Sequence, residues 1–129
     1  YLEMSALQQR STLLPSTQPL RSGDKFYVEY RENFRVHIFN VDGLYLSEWN
    51  FDAMACAIYL HDDGFMYMTT GFDGEIAKVD LSGNIIGSLG RPGVENGQFG
   101  EGHFLAVDDN DNIFIADVVN QRVQLYRKE

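Results

Sequence analysis

Oxygen donors are densest at Asp62-Asp63 and at Asp108-Asp109-Asn110-Asp111. Calcium is the cofactor that such clusters would suit, but it needs about six to eight oxygens converging on one point. Both clusters read more simply as turns between strands, where Asp and Asn tolerate left-handed geometry and hydrogen-bond their own backbone. Softer donors are scarce. The chain has one cysteine, Cys56, and three histidines, His37, His61 and His103. A lone cysteine makes neither an intrachain disulfide nor a cysteine-cluster metal site. His37 stands between Val36 and Ile38, and His61 falls at a strand end, so both are expected to face solvent without a role. Arg31 and Arg91 are the candidates for holding an anionic group. No Gly-x-Ser-x-Gly elbow, P-loop or His-Glu-x-x-His occurs, so hydrolase and nucleotide readings lose their usual anchors.

Charge narrows the partners. Ten Lys and Arg against nineteen Asp and Glu leave a net charge of −9. Residues 42–117 hold fourteen of those acids, with only Lys78 and Arg91 as bases. Such a surface repels phosphate backbones and anionic headgroups, so neither nucleic acid nor a membrane is an expected partner. No apolar run approaches about 18 residues. No targeting signal is visible at Tyr1-Leu2-Glu3-Met4, and the free thiol leans towards a reducing compartment. At 129 residues and 44% apolar content, one packed domain is expected.

The elements that would position these residues repeat. Phe26 to Phe39 aligns without gaps on Ile113 to Tyr126, matching Asn33 with Asn120, Arg35 with Arg122 and Val36 with Val123. A middle copy runs through Met66-Tyr67-Met68-Thr69, a turn at Gly71 to Gly74, and Glu75 to Val79. The offsets are 40 and 47 residues, and the extra length falls in the Gly-rich stretch Gly90 to Gly100. Short apolar runs alternate with Gly, Asp and Asn punctuation, as at Leu105 to Asp108, then Asp109 to Asn112, then Ile113 to Ala116. Four such runs in a unit of about 40–45 residues make a β-propeller blade. The runs are too short for helical repeats. The expected fold is all-β, with middle strands near 26–30, 65–69 and 113–117. Strands near 35–40, 75–80 and 122–126 should follow them.

The third copy resembles the NHL-repeat family of propellers. It carries Asn96-Gly97-Gln98-Phe99, His103 to Asp108, Asn112 to Asp117, and Asn120-Gln121-Arg122-Val123-Gln124. Tyr30 and Thr70 stand where the third copy has Asp117. The resemblance covers residues 15–129, as three blades at about 15–52, 53–100 and 101–129, and leaves a leader at 1–14. It implies that Asp117 and Asn120 to Arg122 form a structural network. It also places His103 just before an inner strand, near the mouth of a central channel. The offsets make Cys56 and Ser16 the equivalents of His103 in the other two copies.

Six-bladed peptide-amidating lyases, which resemble this family, hold zinc with histidines from such positions. The resemblance makes His103, with Cys56 beside it, the candidate metal ligand. One His and one Cys still fall short of the three protein ligands a catalytic zinc takes, and Ser16 is a poor third. A metal-free channel-mouth side chain is therefore the preferred reading of His103. Trp49, Phe51, Phe65, Phe72, Phe99 and Phe104 are expected to pack between blades.

Three blades do not close a ring, and the last lacks its fourth strand. Either the chain is a fragment of a six-bladed protein or two copies associate. The expectation is half of a six-bladed ring, completed as a homodimer, with the leader as a latch strand. The favoured function is a binding scaffold for a protein, peptide or small molecule. The alternative is a metal-dependent lyase or lactonase-type enzyme working through His103.

Overall fold

The structure is a computed structural model that describes residues 20–129. The leader at 1–14, with its latch, and Ser16 lie outside the described residues. Within them the architecture is all-β. Strands β1 (Leu20–Ser22), β2 (Lys25–Tyr30), β3 (Arg35–Asn40) and β4 (Tyr45–Asn50) form blade 1 in that order. Blade 2 repeats it with β5 (Ala57–Leu60), β6 (Met66–Thr69), β7 (Ile76–Val79) and β8 (Ile85–Leu89). A short parallel pair follows, β9 (Arg91–Pro92) on β10 (Gln98–Phe99). Blade 3 is three-stranded, with β11 (Gly102–Val107), β12 (Ile113–Asp117) and β13 (Arg122–Tyr126). All pairings within blades are antiparallel. One 3-10 turn at Arg31–Asn33 is the only helical element among the described residues, and no helix there is long and apolar enough to cross a membrane.

Turn chemistry sets the strand ends. Asn40 Oδ1 accepts from the N–H groups of Asp42 and Leu44, both at 2.9 Å. Asp80, forty residues on, does the same for Ser82 and Asn84, both at 2.9 Å. Asp108 holds Asn110 and Asn112 at 2.8 and 2.9 Å, so its carboxylate serves its own turn. Gly83 closes the β7–β8 turn at φ +89°, where a Cβ would sit 2.4 Å from the Trp49 ring. Only glycine meets both conditions.

Alternation along the strands sorts residues by face. From blade 1, Tyr27, Val36, Ile38 and Trp49 meet Met66, Met68, Ala77 and Val79 of blade 2 in one buried cluster. The opposite face of blade 2 offers Ile76 to Ile115 of blade 3, with Phe99 of the linker filling the gap between them. The two outward faces differ. On blade 1, Val28, Tyr30 and Phe39 are buried. On blade 3, Phe104, Phe114, Val123 and Leu125 are exposed, Val123 at 65%.

Several expectations change here. Phe104 does not pack between blades, because β11 turns it to the free side of the last blade. Phe72 is also exposed and lies under Arg31 instead. His37 is buried rather than solvated, since alternation puts it with Phe39, and its Nε2 lies 3.1 Å from Glu48. Burial pushes its pKa below the ordinary value, with Glu48 pulling the other way. His61 is likewise mostly enclosed. Its Nε2 sits 2.9 Å from Asp111 Oδ1, joining blade 2 to blade 3.

Candidate metal centre

Cys56 ends the linker that enters β5, and Glu101 and His103 flank the start of β11. Their ligand atoms, one thiol sulfur, one carboxylate oxygen and one imidazole nitrogen, all lie within 4.8 Å of one another. Cys56 and Glu101 are buried and His103 is half-buried. The structure thus brings the two sequence candidates together and adds Glu101, which the sequence reading missed. No local spacing signals it, because Glu101 precedes β11 and His103 sits where the β11 register breaks, so regular strand alternation does not relate the two.

Backbone contacts hold this corner. Cys56 N–H donates to the Thr69 carbonyl at 2.9 Å. Gly102, between Glu101 and His103, exchanges backbone hydrogen bonds with Gly71 of blade 2 at 3.2 and 3.3 Å. The β11–β12 register slips between Gly102 and Phe104, so His103 is the extra residue of a β-bulge. Such a bulge re-aims a side chain out of the strand's regular alternation. The His103 Nδ1 atom is buried and has no hydrogen-bond partner. Burial pushes the Cys56 thiol up to about 11, with Arg31 pulling it down and Glu101 and Glu29 pushing it further up. A thiol held protonated in this way is a poor nucleophile.

Asp117, at the end of β12, anchors the ligand segment. Its Oδ1 accepts from the N–H groups of Gly100 and Glu101, each at 3.0 Å, and its Oδ2 from Asn120 Nδ2 at 2.8 Å and Arg122 Nε at 3.2 Å. Burial alone would raise this carboxyl, but hydrogen bonds from Glu101, Asn120 and Arg122 outweigh it and hold it below the usual carboxylate range. Arg122 in turn donates to the carbonyls of Val94, Glu95 and Gln98. Asp117→Ala leaves the buried N–H groups of Gly100 and Glu101 without an acceptor, so a loss of about 3 kcal/mol is expected. Urea unfolding measures it, and a loss below about 1 kcal/mol would deny Asp117 this anchoring role.

No family model and no curated protein sequence matches the chain. Solved structures do. A Bacteroides caccae protein of unknown function superposes with a TM-score of 0.68 at 16% identity, over 78% of this chain and 37% of that one. Virginiamycin B lyase from Staphylococcus aureus gives 0.62 at 12% identity, over 84% and 40%. BamB from Moraxella catarrhalis gives 0.52 at 19% identity, over 81% and 34%. The lyase and BamB are β-propellers. The three sheets are propeller blades. At these identities the likeness is one of fold alone, and the chain spans two-fifths or less of the length of each of these three proteins. In propeller terms, the donors sit where inner strands of adjacent blades begin.

Proposed function

We propose that this chain is an NHL-like propeller scaffold that holds a zinc ion at the entry of its inner strands. Cys56, Glu101 and His103 are the ligands. The observation that carries the reading is the convergence of three different donor types within 4.8 Å from two adjacent blades. Sulfur, nitrogen and one carboxylate oxygen suit zinc, whose catalytic sites take three protein ligands. Calcium does not fit, since a single carboxylate falls far short of its oxygen shell. The unpartnered buried Nδ1 of His103 fits too, because a buried polar atom without a partner is destabilising and a metal satisfies it. Zinc there would supply Lewis-acid polarisation of a bound ligand, the chemistry that a lyase or lactonase-type propeller would use. The chain's own part is to orient the donors through Gly102, Asp117 and the bulge at His103, and to keep Cys56 from water. Equilibrium dialysis of the purified chain against zinc, followed by elemental analysis, tests the assignment.

A second proposal concerns assembly, and the exposed outward face of blade 3 supports it. Phe104, Phe114, Val123 and Leu125 occupy the positions whose counterparts on blade 1 include Tyr27, Val36 and Ile38, which pack on blade 2. A face built to carry another blade associates when left in water. A homodimer through blade 3 is therefore expected. The outward face of blade 1 is already buried in the single chain, which disfavours simple head-to-tail closure. Sedimentation velocity at micromolar concentration should show a dimer that Val123→Asp converts to monomer. A wild-type monomer at that concentration would refute the proposal.

A further inference from the structure

Glu101 already has a cationic partner. Arg31 belongs to the 3-10 turn after β2 in blade 1, yet its Nη2 donates to Glu101 Oε1 in blade 3. On the way it crosses blade 2, with its guanidinium carbon 5.4 Å from the centre of the Phe72 ring. One side chain thus bridges three blades and ends on a proposed metal ligand. Its Nε is buried without a hydrogen-bond partner, so the guanidinium is only partly satisfied where it lies.

We infer that Arg31 sets the affinity and selectivity of the metal site by competing with the incoming cation for Glu101. This rests on the zinc reading above. The competition follows from charge. A guanidinium and a divalent cation beside the same carboxylate repel each other, and burial strengthens that repulsion. The segment that carries Glu101 is held without Arg31. The backbone of Glu101 is held by Asp117 Oδ1, which accepts its N–H at 3.0 Å, and by Val118 N–H, which donates to its carbonyl at 3.1 Å. Removing the guanidinium therefore leaves a buried carboxylate in place with no counter-charge, which a metal ion would supply.

Selectivity has the same origin. Magnesium and calcium gain little from sulfur and nitrogen, so Glu101 alone would have to repay them for displacing Arg31. Zinc gains Cys56 and His103 as well. A resident guanidinium thus filters the site in favour of a soft-tolerant cation.

The test is a zinc titration against a chromophoric chelator, run on wild type, Arg31→Met and Arg31→Lys, with magnesium and calcium as competitors. Arg31→Met should bind zinc at least about tenfold more tightly, and Arg31→Lys, which keeps the charge, should stay near wild type. Magnesium and calcium at millimolar concentration should leave the wild-type zinc isotherm unchanged. If wild type binds zinc but Arg31→Met binds it equally or more weakly, Arg31 orients Glu101 and the inference is overturned while the metal site stands. If neither protein binds zinc, both fall. Zinc bound by Arg31→Met alone supports the competition. Should Arg31→Met fail to fold by circular dichroism, Arg31→Gln replaces it with the same expected direction.

Discussion

Zinc is expected to bind the purified chain at about one ion per chain, and His103→Ala to weaken that binding by at least about a hundredfold. The size of the effect follows from the donor set. Only three protein donors converge among the described residues, so losing one leaves a carboxylate and a thiol that cannot hold zinc against water. Cys56→Ser should do nearly as much, because a hydroxyl replaces a thiolate with little change in volume. The pH dependence has a definite sign. With the Cys56 thiol pushed up to about 11 by burial, it is protonated at neutral pH and must release its proton to ligate the ion. Zinc affinity should therefore rise by about tenfold per pH unit between about pH 6 and 8. Calorimetry in two buffers of different ionisation enthalpy would read that proton directly. Substoichiometric zinc in both wild type and Arg31→Met, or zinc retained in His103→Ala, would remove the metal centre.

The second large effect concerns Glu29. This β2 residue is 1% exposed, and its Oε2 has no hydrogen-bond partner. Burial pushes its carboxyl from the ordinary 4.5 up to about 7, with a backbone hydrogen bond pulling weakly the other way. Between those two values the folded chain holds a proton that the unfolded chain has released. Stability is therefore full below about 4.5 and falls as pH rises through about 7. At about 1.4 kcal/mol per pH unit, the whole window amounts to about 3 kcal/mol. Glu29→Gln stays neutral throughout and should abolish the slope. It is expected to be about 3 kcal/mol more stable than wild type at pH 8 and nearly equal at pH 4. Urea midpoints at the two pH values decide it. An equal difference at both would mean that Glu29 is ionised in the folded chain.

The blades themselves are legible in the sequence. Period-two runs between Gly, Asp and Asn turns place strands near 26–30, 65–69 and 113–117, and the structure has them at Lys25–Tyr30, Met66–Thr69 and Ile113–Asp117. Strand alternation and turn preference act over a few residues, so local spacing carries them. The 47-residue offset makes Cys56 the equivalent of His103, which the family resemblance already makes a candidate. Asp108 also behaves as its local pattern implies, serving its own turn, and Asp117 anchors the network that the family resemblance implies.

The tertiary structure decided which of these pieces face one another. Glu101 joins Cys56 and His103 where a Gly71–Gly102 bridge ties blade 2 to blade 3, beside a one-residue bulge at His103. Arg31 reaches Glu101 across a whole blade, a contact seventy residues apart in the chain. His37 and Phe104 exchanged their expected environments for a related reason. Periodicity tells which side chains share one face of a sheet, but whether that face is covered depends on what packs against it. Blade-to-blade packing is set by the summed shapes of two sheets rather than by any local run of residues. That is why the strands followed from the sequence, and the approach of Glu101 to Cys56 and His103 and its contact with Arg31 did not.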